Sequence, residues 1–298
     1  MTPFADRTGR RLIAGLPTIW LVALFLIPFL IVLKLSFSEM RLAIPPYAPF
    51  IEWRHGWPVP ALHLSNYAFL FTDPLYVRSY LYSLRVAAVS TAICLAVGYP
   101  MAYAIARASP AWRTALLMLV MLPFWTSFLL RVYAWIGLLQ NDGLVNHVLL
   151  ALGLVHRPVR LLQTDFAVYI GIVYAYLPFM ILPLYANLEK HDPELLEAAA
   201  DLGARPFRRF LRITLPLSLP GIAAGALLVF IPAVGEYIVP SLLGRTDQLM
   251  IGRVLSDEFF ENRDWPVASA VAILMLLLLV VPILLLQRLE RRALEAPK

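Results

Sequence analysis

The chain has 298 residues, of which 60% are hydrophobic and 15% charged, and its formal net charge is +6. Soluble domains hold roughly 45 to 50% apolar residues even with Gly counted and about 25% charged ones, so this composition excludes a water-soluble globular domain and indicates an integral membrane protein. One cysteine leaves no intrachain disulfide, and Lys and Arg scattered along the membrane boundary suit anionic lipid and give no patch for nucleic acid.

Six mostly apolar stretches of about 20 or more residues occur in chain order, each long enough for a hydrocarbon core roughly 30 Å thick. The first, residues 12–37, lacks a small-residue cleavage site and reads as a retained helix. Residues 38–79 follow, with Pro45, Pro46, Pro49, Pro58, Pro60 and Pro74 among many aromatics. Proline removes donors and restricts its predecessor, so this connection is not expected to be one helix. It is expected to lie on the outer membrane face with Trp53 and Trp57 at the interface, where contact with a periplasmic partner is an alternative role.

The second span, 80–106, contains Cys94, read as ordinary packing. The third, 115–139, carries Trp125, Arg131, Tyr133 and Trp135, and the fourth is 166–188. One long polar interruption comes next, at about 189–216. Asp192 can cap a helix with Pro193 at its first position and Glu194 in its first turn, and Gly203 can supply the left-handed residue that ends it. A second short helix is expected from Pro206 towards Pro216, with Arg208, Arg209 and Arg212 at its polar end. The fifth span, 217–239, holds Glu236 and Tyr237 near its end, and the sixth is 266–286. Asp257, Glu258, Glu261 and Asp264 precede the sixth span and read as solvated or docking residues. Prolines recur within the spans and at their ends, as transmembrane helices tolerate.

Orientation follows from the basic residues. With both termini in the cytoplasm, that side holds Arg7, Arg10, Arg11, Arg107, Arg113, Lys190, Arg205, Arg208, Arg209, Arg212, Arg288, Arg291, Arg292 and Lys298, which is 14 of the 25 Lys and Arg. The opposite loops hold eight: Arg41, Arg54, Arg78, Arg157, Arg160, Arg245, Arg253 and Arg263. The asymmetry favours an N-in, C-in topology and places the 189–216 loop in the cytoplasm. There is no phosphate-binding Gly-rich loop, no H-E-x-x-H and no metal-ligating cysteine set, so ATP hydrolysis and metal chemistry are not expected of this chain.

The run Glu197-Ala198-Ala199-Ala200-Asp201-Leu202-Gly203, then nine residues, then Ile213-Thr214-Leu215-Pro216, resembles the coupling loop of ABC importer permeases. That signature is Glu-Ala-Ala, three residues, Gly, nine residues, Ile-x-Leu-Pro, and every fixed position and both spacings are met. From about Asn66 to Leu286 the chain looks like permeases of the bacterial spermidine/putrescine branch. The runs that carry this are Asn66 to Phe71, Pro123-Phe124-Trp125-Thr126-Ser127 with Arg131-Val132-Tyr133-Ala134-Trp135, Leu188-Glu189-Lys190, and Thr214 to Gly221. Gly235 to Pro240, Leu249 to Gly252 and Asn262 to Pro266 look most like the putrescine-transporting members.

The resemblance implies an all-α membrane protein of six transmembrane helices, a single permease domain over 1–298 of the type I ABC importer architecture, with a cytoplasmic coupling helix. It also implies an inner-membrane complex with a second similar permease, a cytoplasmic ATPase dimer and a periplasmic polyamine-binding protein, ATP and Mg being held by the ATPase. Glu197, Ala198, Ala199, Asp201 and Gly203 then couple to the ATPase. A polyamine path needs carboxylates and aromatic faces, and Trp125, Tyr133, Trp135, Glu236 and Tyr237 are the candidates. Glu236 has two readings, a pathway carboxylate or an ion-pair partner of Arg131. The aromatics have two as well, substrate contact or interfacial anchoring. A permease for another small solute, an ion-coupled secondary transporter and a membrane assembly protein remain as alternative functions, though a secondary transporter more often shows internal repeats and several intramembrane ionisable groups.

Overall fold

A computed structural model describes residues 15–49, 51–54, 57–60 and 62–295. Arg7, Arg10, Arg11 and Lys298 of the charge pattern, and residues 12–14 of the first expected span, lie outside them. The chain packs as two compact units, one formed by the residues before 78 with 255–278, the other by 78–254 with the residues after 278.

In the first unit, α1 (Gly15–Ser36) is long and apolar enough to cross a bilayer. Pro28 has no N–H to donate, and the turn before it widens, so that the Ile27 N–H reaches back five residues to the Val22 carbonyl. The end of α1 is closed by α2 (Ser65–Thr72). Asn66 Nδ2 donates to the carbonyls of Ser36 (3.0 Å) and Ser38 (2.8 Å), and the Tyr67 hydroxyl donates to Ser36 Oγ (2.7 Å). These bonds satisfy carbonyls that a helix end leaves free.

The proline-rich connection is not one helix, as its prolines lead one to expect. It forms a two-stranded antiparallel hairpin, β1 (Ile51–Arg54) and β2 (Trp57–Pro60), with Ile51 opposite Pro60 and Arg54 opposite Trp57. In a two-stranded ribbon both strands are edges, so Pro58 and Pro60 are tolerated. Trp57 is exposed, as an interfacial side chain would be. The later part of this unit is closed by polar and aromatic contacts. Glu258 accepts from the Tyr76 hydroxyl (2.7 Å) and from Asn262 Nδ2 (2.9 Å), and Trp265 stacks on Phe259 at 5.3 Å. Asp264 Oδ1 caps the last helix through the Val267 N–H (3.0 Å), and burial raises its carboxyl above the ordinary carboxylate value. Glu258 and Asp264 thus have partners within the fold.

The second unit is built on α3 (Pro74–Arg107), α7 (Asp165–Leu188) and α9 (Pro206–Val234), each long and apolar enough to span. Between them lie α4 (Pro110–Trp125), α5 (Phe128–Leu139), α6 (Leu144–Ala151) and α8 (Glu194–Asp201). Among the described residues three helices follow α9 in the chain: α10 (Ile238–Leu243), α11 (Ile251–Ser256) and α12 (Trp265–Glu295), of which α12 up to Leu278 belongs to the first unit. The apolar part of α12 among the described residues is Trp265–Val280.

Two expected spans differ in shape. The third is not one helix, because α4 and the segment Phe128–Ala151 are bent by 89°. Pro123 tightens the end of α4 into a 3-10 turn, Thr126 is extended, and the Pro123 carbonyl takes both the Thr126 N–H (3.3 Å) and its Oγ1 (2.9 Å). The fifth is longer at its start and shorter at its end than expected. The short helix expected at Pro206 is the first part of α9, which runs on through Pro216 because a widened turn lets the Leu215 N–H reach the Phe210 carbonyl. It stops at Val234, before Glu236.

The core of this unit holds Cys94, Tyr99, Ala102 and Ile105 of α3, Met180, Ile181 and Leu184 of α7, and Val229 of α9. Gly221 and Gly225, one turn apart, let α9 approach α7 closely, as small residues do between membrane helices. A Cβ at Gly225 would stand 2.8 Å from Met180 Sδ and 3.1 Å from its carbonyl oxygen.

Candidate functional site

The 189–216 loop presents α8 with none of its side chains buried. Its start is turned by Asp192, whose Oδ1 accepts the Glu194 N–H at 2.9 Å. Its end is the motif the sequence suggested. Gly203 has φ +79°, its N–H bonds to the Ala200 carbonyl (2.8 Å), and the Ala204 N–H bonds to the Ala199 carbonyl (2.9 Å). That pair of bonds is the Schellman cap, for which a residue without Cβ is favoured.

Glu197, Ala198 and Asp201 are exposed and Ala199 is half-buried. Leu202, 89% exposed, and the exposed Phe207 flank them. Such apolar side chains left in the open beside a small-residue helix form a surface suited to a protein partner. Two arginines fix the loop to the unit: Arg209 Nη1 donates to the Leu196 carbonyl (3.2 Å), and Arg113 Nη1 pairs with Glu189 Oε1 (2.7 Å). Within the chain, nothing lies within 4 Å of a Cβ built at Gly203. The positive φ is therefore the reason for glycine that the chain itself supplies.

Glu236 sits in the break between α9 and α10 instead of inside a span, and only 7% of it is exposed. Its Oε1 accepts the N–H groups of Tyr237 (3.2 Å), Ile238 (3.0 Å) and Val239 (3.4 Å), and its Oε2 accepts the Tyr176 hydroxyl of α7. A carboxylate is acceptor-only, and this one meets four donors. It therefore serves as the N-terminal cap of α10. Gly252 of α11 lets the backbone approach this segment closely, since a Cβ there would stand 2.4 Å from the Gly235 carbonyl oxygen.

Of the two readings of Glu236, the ion pair with Arg131 is not formed: among the described residues no hydrogen bond or ion pair joins them. Arg131 lies 5.5 Å from the centroids of both Phe124 and Phe128, with Nε and Nη1 buried and without hydrogen-bond partners. Phe128 is one turn before Arg131 on α5, and Phe124 comes from α4 on the other side of the 89° bend. The aromatic row continues from Phe124 to Phe179 (5.3 Å) and from Phe179 to Tyr176 (6.1 Å), which leads to Glu236.

The other pathway candidates are spread around this row. Trp125, at the bend, is 79% exposed, Tyr133 and Tyr237 are also exposed, and Trp135 is half-buried edge-on to Tyr174 at 5.7 Å. No hydrogen bond brings the side chains of Trp125, Tyr133 or Trp135 to Glu236 among the described residues. Tyr176, Phe179, Arg113 and Gly252 were missed as site residues by sequence reasoning. Glu189 stands out in the sequence only within the run Leu188-Glu189-Lys190 of the family resemblance, and nothing local marks Tyr176, whose hydrogen bond is to a partner 60 positions away.

The sequence profile of the family described as a binding-protein-dependent transport system inner membrane component matches residues 7–295. The chain is 44% identical over 254 residues to the spermidine/putrescine transport system permease protein PotB of Haemophilus influenzae, covering 85% of this chain and 84% of that one. It is 40% identical over 272 residues to the protein of the same name from Escherichia coli K12, covering 91% and 94%. A chain of a bacterial alginate ABC transporter, solved in complex with an alginate pentasaccharide-bound periplasmic protein, superposes with a TM-score of 0.74 over 98% of both chains at 19% identity, which is a likeness of fold.

Proposed function

The chain belongs to the family of binding-protein-dependent transport system inner membrane components, and on that footing we propose that it forms half of the translocation path of an ATP-driven polyamine importer. It is a multi-pass inner-membrane protein with the type I ABC importer permease fold. In the proposed complex it pairs with a second, similar permease. A cytoplasmic ATPase dimer carries ATP and Mg, and a periplasmic protein delivers the polyamine. Both termini lie in the cytoplasm, in keeping with the basic-residue asymmetry.

The observation that carries the ATPase role is α8, a helix with no buried side chain held in one conformation by the Gly203 cap. Glu197, Ala198, Ala199, Asp201 and Gly203 form or shape the surface that meets the ATPase. Its closure on ATP moves α8 and turns the path between two global states. The substrate class is supported by identities of 40 and 44% to permeases named for spermidine and putrescine. In the path, Trp125, Tyr133 and Tyr237 offer exposed aromatic faces to ammonium groups. Trp135 supports Tyr174, and Glu236 shapes the wall by capping α10.

Proteoliposomes containing both permeases and the ATPase, supplied with the binding protein, should accumulate labelled putrescine or spermidine on addition of ATP. Competition between the two sets the preference. Uptake of an unrelated solute in place of either would move the chain to another substrate branch, and uptake driven by an ion gradient without ATP would refute the importer.

A further inference from the structure

We propose that Arg113 is a positioning residue for energy coupling, which transmits movement of α8 to the junction of α3 and α4 through Glu189. This rests on the importer reading above. Arg113 stands in the first turn of α4. Its Nη1 donates to Glu189 Oε1 at 2.7 Å, one residue past the end of α7, and its Nη2 donates to the carbonyls of Ala106 (3.1 Å) and Ala108 (3.4 Å). These carbonyls belong to the end of α3 and the turn beyond it, where a helix leaves acceptors free. One guanidinium thereby joins the end of α3, the start of α4 and the root of the loop that carries α8.

A half-exposed ion pair by itself contributes little. The planar fork of arginine differs from a point charge in that its donors hold several acceptors in fixed directions, and here it holds three. The other end of the linkage is Arg209, which reaches from α9 to the Leu196 carbonyl within α8. The helix is thus tied at its root to α3 and α4, and along its length to α9.

A second observation points to the same place. Arg113 Nε, Asn187 Oδ1 and His191 Nε2 are buried without hydrogen-bond partners, and the last two lie two residues to either side of Glu189. Buried polar atoms are seldom left so. Their concentration around this clamp fits a segment with two arrangements, in which the free atoms find partners when the loop is displaced.

The test uses the whole complex in proteoliposomes, with Arg113→Met, Arg113→Lys, Glu189→Gln and the Met/Gln double variant. It reads ATPase retention on purification, ATP hydrolysis and polyamine imported per ATP. Arg113→Met should keep the ATPase bound while polyamine imported per ATP falls about fivefold or more, the lower end of typical coupling between sites. Glu189→Gln should fall in the same direction, the double variant should be no worse than Arg113→Met, and Arg113→Lys should recover part of the loss. A scaffold role would instead lower yield and leave the ratio unchanged.

An unchanged ratio in assembled Arg113→Met complex overturns the proposal and leaves the importer reading standing. Loss of the ATPase from both Arg113→Met and Glu189→Gln also overturns it, since the clamp would then serve docking. A wild-type complex that imports no polyamine overturns the importer reading and this proposal with it.

Discussion

Replacing Glu236 separates a cap from an ion pair. Glu236→Ala removes the acceptor for three backbone N–H groups and for the Tyr176 hydroxyl. Loss of a helix cap costs about 0.5 to 2 kcal/mol. Loss of one interhelical hydrogen bond in a membrane protein costs about 0.6 kcal/mol on average and up to about 1.7. The two together destabilise the chain by about 1 to 3.5 kcal/mol. Glu236→Gln keeps an oxygen for the Ile238 N–H and turns an amide donor towards the Tyr176 oxygen, which can accept, so its loss is under about 1 kcal/mol. Arg131→Met should be additive with Glu236→Gln within about 0.5 kcal/mol, as for residues that share no contact. A buried ion pair would behave otherwise: removing one partner costs about 3 to 5 kcal/mol, and removing the second restores most of it. The assay is the fraction of detergent-solubilised protein that survives graded heating as a monodisperse peak, measured for the single variants and the double. Rescue of Glu236→Gln by Arg131→Met, or a Gln variant as damaged as the Ala variant, would refute the cap assignment.

Three further outcomes are expected. Gly252→Ala places a methyl 2.4 Å from the Gly235 carbonyl oxygen and 2.9 Å from that of Glu236, both backbone atoms that must move, and should cost about 1 to 3 kcal/mol in the same heating assay. A variant as stable as the parent would show that the contact is not close in the protein. At Gly203, where φ is +79° and no atom lies within 4 Å of a built Cβ, Ala should cost about 1 kcal/mol of backbone strain, and Asn, which tolerates that conformation, less. ATPase capture by immobilised complex should follow the order Gly, Asn, Ala, and a reversed order of Asn and Ala would exclude the conformational reason. For topology, a cysteine at Ala200 should react with an impermeant maleimide only in inside-out vesicles and one at Thr246 only in intact spheroplasts. Cys94 is fully buried and supplies a silent background. Labelling of Ala200→Cys from the outside would overturn the N-in, C-in arrangement.

The sequence by itself determined the membrane class, the approximate places of the apolar stretches and the 189–216 loop down to the glycine that ends its first helix. These follow from local physics: apolar stretches long enough to cross a bilayer, prolines that forbid a single helix in residues 38–79, and a left-handed position that only a residue such as Gly203 fills without strain. The family resemblance was legible for the same reason, since Glu197, Gly203 and Pro216 lie within one short segment. Only the tertiary structure decided the course of the chain at its prolines. Pro123 ends α4 and turns the chain by 89°, whereas Pro216 and Pro220 lie within the continuous helix Pro206–Val234. A proline removes a donor in either case, and what becomes of the freed carbonyl is settled by the turn around it and by neighbouring helices. The tertiary structure also decided the partners of Glu236 and Arg131. Both lie in apolar surroundings with opposite charge, which in the sequence suggests a pair. The backbone break after Val234 gives Glu236 the N–H groups of α10, and across the bend after Trp125 Arg131 meets Phe124. Tyr176 lies 60 positions from Glu236, and the contacts of Glu236 with α10 and of Arg131 with Phe124 depend on a change in backbone direction, so no local pattern encodes them.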